Sequence, residues 1–199
     1  MSNPKLETLI EEYVSKIITE IFDDVPKELN VYDFDDTIVR AEGVIHLVNK
    51  KTGERRELSP QEFQTYDVGK DEQFDLSDFS NLLNPTTLPH FERMKADYQR
   101  LGPNGVAICT ARPYSDSIIK FMADNGMPDI EIVAVGEPVP TGNVSNANAR
   151  KKQDYLRNKI AQRNLQILRF FDDNRANCRA AKALAKEFPG VQIEVENVK

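Results

Sequence analysis

The chain is predicted to be an α/β protein, a parallel β-sheet covered by helices on both faces. Short apolar runs, nearly continuous in β-compatible residues, alternate with longer stretches at helical spacing. That alternation is the pattern of strands joined by crossover helices. Size agrees: 199 residues with 40% hydrophobic and 29% charged side chains suit one domain, 1–199, with a real core.

Leu6, Leu9, Ile10, Tyr13, Val14, Ile17, Ile21 and Phe22 recur at helical spacing behind Asn3-Pro4, predicting an amphipathic helix over a core face, with Pro26 just beyond it. Strand one is expected over Leu29–Phe34. Further strands are expected at Val106–Thr110, Ile130–Val135, Ile167–Phe171 and Val191–Val195. The helical stretches between them are Leu88–Leu101, Ser115–Asn125, Ala147–Arg163 and Arg175–Phe188. In such sheets the ligand site lies beyond the carboxyl ends of the strands.

From Ile38 to about Thr86 the alternation breaks. Val44–Val48 and Arg55–Leu58, joined by Asn49-Lys50-Lys51-Thr52-Gly53, predict a β-hairpin. Ser59-Pro60-Gln61-Glu62 has the form of a helix start with a capping box. Asp67 to Asn84 is acidic and aperiodic. The whole piece, about 38–86, reads as a small insertion standing over the end of strand one.

Several function classes are disfavoured. No apolar stretch approaches a membrane span and the N-terminus lacks a signal-peptide layout, so the expectation is a cytoplasmic protein without membrane contact. Cys109 and Cys178 lack metal-type spacing, and no disulfide is expected. The missing Gly-rich P-loop argues against a nucleotide-triphosphate kinase. The net charge of −6 is uneven: residues 1–85 hold 19 acids and 9 bases, whereas residues 150–186 hold 11 bases and 3 acids. That basic block suits either an anionic, phosphate-bearing substrate or a pair of solvated helices.

The most informative stretch is Val31-Tyr-Asp-Phe-Asp-Asp-Thr-Ile-Val39. Asp33 and Asp35 stand two apart, hence on one side of an extended backbone. Two acids so close repel unless a cation lies between them or one carries a proton. The pair therefore fits a divalent-metal site, a nucleophile beside a general acid/base, or a plain acidic turn. Later strands run into Thr110-Ala111-Arg112 and Asp172-Asp173-Asn174, and Arg150-Lys151-Lys152 lies in the helix before the fourth strand. Alone, Thr110 and the Asp pair also read as helix caps, and the arginines as surface or ion-pairing residues.

In that order, Asp-x-Asp-x-Thr, Thr, Lys and Asp-Asp, the motifs resemble the haloacid dehalogenase-like phosphohydrolase superfamily, over the catalytic core. Leu58–Phe63 and Phe74–Phe79 in the insertion further resemble small, phage-associated members. The resemblance implies a three-layer α/β/α fold, Rossmann-like, with a five-stranded parallel sheet of order 3-2-1-4-5. It implies a Mg²⁺-dependent phosphomonoesterase working through an aspartyl-phosphate on Asp33. Asp35 would be the general acid/base, with its backbone carbonyl on the metal. Thr110 would hold a phosphate oxygen and Lys152, favoured over Lys151, would neutralise charge. Asp172 would complete the metal site, with Asp173 as a second ligand or as outer-shell support. Asp36 departs from the commoner Gly of the family at its position. Asp35 favours phosphate over dehalogenase chemistry.

The layout also resembles the phosphatase domain of phage polynucleotide kinase, which makes Arg40 and Arg112 candidate phosphate clamps and nucleotides or nucleic-acid ends candidate substrates. A binding module of the haloacid dehalogenase-like fold with little turnover, using the acidic insertion to dock a partner, and a phosphotransferase are the alternatives. Tyr66 and Phe63 are candidates for base contact or core packing, and His46 and His90 have no partner at useful spacing.

Overall fold

The computed structural model describes residues 13, 26–138, 140 and 144–199. The helix expected over Leu6–Phe22 lies, Tyr13 apart, outside them. After β1 (Glu28–Tyr32) comes the insertion: β2 (Val39–Glu42), β3 (Ile45–Asn49), β4 (Arg55–Leu58), the short helix α1 (Pro60–Thr65), β5 (Glu72–Asp75) and β6 (Leu83–Thr87). The alternation then resumes with α2 (Pro89–Leu101), β7 (Val106–Thr110), α3 (Asp116–Asp124), β8 (Glu131–Ala134), α4 (Val144–Arg163), β9 (Ile167–Asp172), α5 (Arg175–Ala183) and β10 (Gln192–Asn197).

Five strands form one parallel sheet in the order β8-β7-β1-β9-β10. Numbered through the whole chain, this differs from the expected 3-2-1-4-5, because five short insertion strands intervene between β1 and β7. With those set aside, the parallel strands stand 3-2-1-4-5 across the sheet.

The central strands are buried on both faces, and their side chains divide by alternation. Leu29, Val31, Ala107, Cys109, Leu168 and Phe170 pack under α4 and α5 with Leu156, Ile160 and Ala181. Tyr32, Val106, Ile108 and Phe171 pack on the other side against Phe91, Met94, Ile118 and Met122 of α2 and α3. Each large apolar side chain so enclosed contributes about 1.5–3 kcal/mol. Asn30 is the polar exception in β1; its amide donates to Asp97 Oδ2 of α2 at 2.8 Å, so its burial is compensated.

The insertion leaves and re-enters the domain through the antiparallel pair β2–β6. Beyond that stem, β4-β3-β5 make a small antiparallel sheet. Ile45, Leu47, Leu58, Phe74 and Leu76 give it a core, shared with Val144 of α4. The capping box forms as expected: Ser59 Oγ accepts the Glu62 amide while the Glu62 carboxylate accepts the Ser59 amide at 2.8 Å. Asp67–Asn84 is more ordered than its sequence suggests. It holds β5, a 3₁₀ turn over Ser77–Ser80 and the start of β6. The expected helix over Arg175–Phe188 ends at Ala183 and gives way to a 3₁₀ turn at Leu184–Lys186.

The described residues contain no helix long and apolar enough to cross a membrane. Cys109 and Cys178 are both buried free thiols.

Candidate active site

β1 and β9 are neighbours whose onward connections run to opposite sides of the sheet. A crevice opens at such a switch point, at the carboxyl ends. Asp33 follows β1 and Asp172 ends β9, so topology sets both carboxylates at this crevice. The Asp33 amide donates to the Phe171 carbonyl at 2.8 Å, which extends the ladder just far enough to fix the residue.

Lys152 joins them. Its ammonium donates to Asp33 Oδ1 at 2.6 Å and to Asp172 Oδ2 at 2.8 Å, and all three side chains are buried. The adjacent Lys151 turns outward to Glu137 at 2.6 Å, as a one-residue step around a helix requires. Asp172 is held further by the Asn174 amide at 2.8 Å and by Asn177 Nδ2, which donates to both carboxylate oxygens at 3.0 and 2.9 Å. Asn174 in turn caps α5 by accepting the Ala176 amide.

The electrostatics are those of crowded negative charge. Burial pushes Asp33 well above the usual carboxylate range; Lys152 pulls against this, and Asp172 and Asp173 push further. Burial disfavours the Lys152 ammonium, but Asp172 and Asp33 outweigh it and hold the lysine above its ordinary value. Asp173, at the solvent-facing rim, is pushed up to about 6 by the surrounding protein and then by Asp172. Carboxylate oxygens of Asp33, Asp172 and Asp173 lie within 4.8 Å of one another. Lys152 balances one of these three charges, and the hard oxygen donors left over fit a divalent cation.

The turn after β1 is tight. Phe34 accepts the amides of Ile38 at 3.1 Å and Val39 at 3.0 Å, and Asp36 adopts the left-handed conformation with φ 54°. Asp is among the few residue types besides glycine that enter this region. Thr37 is buried and its hydroxyl accepts the Asp173 amide at 3.1 Å, tying the β1 and β9 loops together.

A cleft of about 230 Å³ opens over these groups. Asp33, Asp35, Asp173 and Lys152 line its floor, and Gly43, Ile45, Phe63, Leu76 and Phe79 of the insertion form an apolar wall. Not every expected residue reaches it. Arg40 is exposed and does not line the cleft; it pairs with Asp36, which does, at 2.9 Å. Thr110 is fully buried, and its hydroxyl accepts the Arg112 amide at 3.1 Å, a local turn contact behind the cleft surface. Asp35 lines the cleft but its side chain is not part of the three-carboxylate cluster.

Arg112 lines the cleft without an open fork. Nε and Nη2 donate to Asp35 at 2.8 and 2.7 Å, while Nη1 donates to the carbonyls of Phe79 at 3.3 Å and Asn81 at 3.2 Å. Phe63 packs edge-on to Phe74, and Tyr66 donates its hydroxyl to Glu72. His90 pairs with Glu196, and neither histidine lines the cleft.

Asn177 and Asn148 were missed from sequence, while Thr37 and Phe79 stood there only as parts of the Asp-x-Asp-x-Thr and Phe74–Phe79 motifs, without a role. Of the two missed, Asn177 had a usable clue, a polar residue one helical turn beyond Asn174, on the face that looks back at the strand end. The chain matches no protein-family model, no curated protein and no solved structure.

Proposed function

We propose that the chain is a haloacid dehalogenase-like phosphomonoesterase that uses Mg²⁺ and passes the phosphoryl group through Asp33. The observation that carries this reading is the buried Lys152 ammonium bridging Asp33 and Asp172, with Asp173 beside them. Such a cluster supplies an oxygen nucleophile, a fixed positive charge and hard ligands at one point, as phosphoryl transfer demands. Its residues are far apart in sequence, at 33, 152 and 172–173, and meet only through the fold.

An Asp33 oxygen attacks phosphorus and the P–O bond to the alcohol breaks. The departing oxygen takes a proton from Asp35. Water then attacks the phosphorus of the acyl phosphate and returns a proton to Asp35, releasing phosphate and restoring the Asp33 carboxylate. Lys152 favours the ionised form of Asp33 and offsets the charge of the phosphoryl oxygens. Asp33, Asp172 and Asp173 would hold the Mg²⁺, which when bound screens the phosphoryl charge from the nucleophile. Asn177 and the Asn174 amide keep Asp172 oriented. The apolar wall from the insertion favours esters with an apolar or aromatic group, such as a nucleoside, over bare polar metabolites.

The test is a panel of p-nitrophenyl phosphate, nucleotides and 3′- or 5′-phosphorylated oligonucleotides with Mg²⁺, with EDTA as control. Turnover is expected with Mg²⁺, lost with EDTA, and reduced at least about 10³-fold in Asp33→Asn. Hydrolysis that Asp33→Asn leaves intact removes the nucleophile; a silent wild type removes the phosphatase.

A further inference from the structure

We propose that Arg112 is a positioning residue: it aims Asp35 and locks the 79–81 segment of the insertion to the catalytic turn. The proposal rests, in its catalytic half, on the phosphomonoesterase reading. An arginine beside a phosphate site is expected to keep its planar fork open for the anion. Here the Nε/Nη2 edge is closed on both oxygens of Asp35, and Nη1 is spent on the Phe79 and Asn81 carbonyls. The guanidinium lies 5.5 Å from the Phe34 ring centre and 5.1 Å from that of Phe79, and its side chain is 2% exposed. Three stretches of chain, after β1, after β7 and before β6, therefore converge on one side chain.

Its base is equally fixed. Thr110 Oγ1 accepts the Arg112 amide, and the Arg112 carbonyl accepts the Gly136 amide at 3.2 Å. A Cβ at Gly136 would stand 2.0 Å from the Ala111 carbonyl oxygen, so only glycine allows this approach. Arg112 thus works from a rigid platform, whereas Asp35 is one-third exposed and free to rotate without it.

The two-point contact from Nε and Nη2 fixes the plane of the Asp35 carboxyl and keeps it facing the cleft. Because Nη1 holds the insertion, Asp35 is aimed only while that segment is seated. A substrate that displaces the 79–81 segment also disarms the acid.

The test compares wild type, Arg112→Lys, Asp35→Asn and the double variant on two esters. p-Nitrophenyl phosphate has a leaving group that needs no proton, whereas an alkyl ester such as phenethyl phosphate does. Arg112→Lys keeps the charge but loses the two-point fork. It is expected to lower kcat on the alkyl ester about tenfold more than on the aryl ester, with KM nearly unchanged. The double variant is expected to match Asp35→Asn within about twofold on the alkyl ester, since both remove one function. An equal loss on both esters with a raised KM makes Arg112 a phosphate ligand and overturns the proposal.

Hydrogen exchange supplies a readout independent of turnover. In Arg112→Lys the amides of Ile38 and Val39, and those of Phe79 and Asn81, are expected to exchange faster while β1 and β9 are unchanged. If the wild type hydrolyses neither ester, the phosphomonoesterase reading fails and exchange alone decides the coupling. Unaltered exchange at either segment overturns it.

Discussion

Strand β1 separates two groups of charged side chains built to opposite effect. At its start, Glu28 meets Arg100 and Arg169; Arg100 also holds Asp97, and Arg169 holds Glu194. Hydrogen bonds from Arg100 lead in lowering Glu28, and those from Arg169 in lowering Glu194. At Asp97, burial pushes upward but is outweighed by hydrogen bonds from Tyr32, Arg100 and Asn30, so its carboxyl also ends below the usual range. At the strand's far end, Asp33 and Asp173 are displaced upward, because burial and like charges outweigh one lysine. A carboxylate lowered by folding stabilises the fold, and one raised by folding opposes it. The first group fastens β1 to α2 and β9; the second stores repulsion that a cation or a phosphoryl group relieves.

The hardest test of this contrast is Lys152→Met. It leaves Asp33 and Asp172 buried without their shared cation, and the expected loss is about 3–5 kcal/mol in denaturant unfolding. A loss below about 1 kcal/mol would mean the ammonium is not what holds the two carboxylates in place.

A smaller effect is expected for Asp97→Asn. This change weakens acceptance from the Tyr32 hydroxyl at 2.6 Å and removes the charge facing Arg100, for about 1–3 kcal/mol at neutral pH. Asp97 is lowered in the folded state, so its stabilisation is complete above the unfolded value and fades as pH falls through the folded one. The gap between wild type and variant should therefore close below about pH 4. A gap that stays constant to pH 2 would assign the effect to packing.

Chemically identical at the other end, Asp33→Asn is expected to leave the metal-free melting temperature unchanged or higher, since it removes a charge that burial disfavours. A fall of several degrees there would erase the distinction between the two groups.

The central parallel strands were legible because burial on both faces leaves an apolar imprint. Val106–Thr110 is bounded in the sequence as in the structure, and all five of its residues are buried. β5 left no such imprint: Glu72-Gln73-Phe74-Asp75 turns only Phe74 inward. In the site, Asp33 was legible from spacing. The choice of Lys152 over Lys151 leaned on a family pattern, and the structure gives its cause in the turn of α4. Arg40 and Arg112 looked alike in sequence, each following a motif. They separate because Arg40 ends on an exposed stem, whereas Arg112 enters a gap between Phe34 and Phe79.

The amino-acid order by itself determined which segments become the parallel strands and the helices between them, and which residue types stand at the strand ends, because periodicity and turn chemistry are local properties. Tertiary structure alone decided which carboxylates share a cation, which hydroxyl faces inward and which guanidinium reaches Asp35. Those outcomes depend on how segments distant in sequence meet, such as Asp33 and Lys152, 119 residues apart, or Asp35 and Arg112, 77 apart, and no local pattern encodes them.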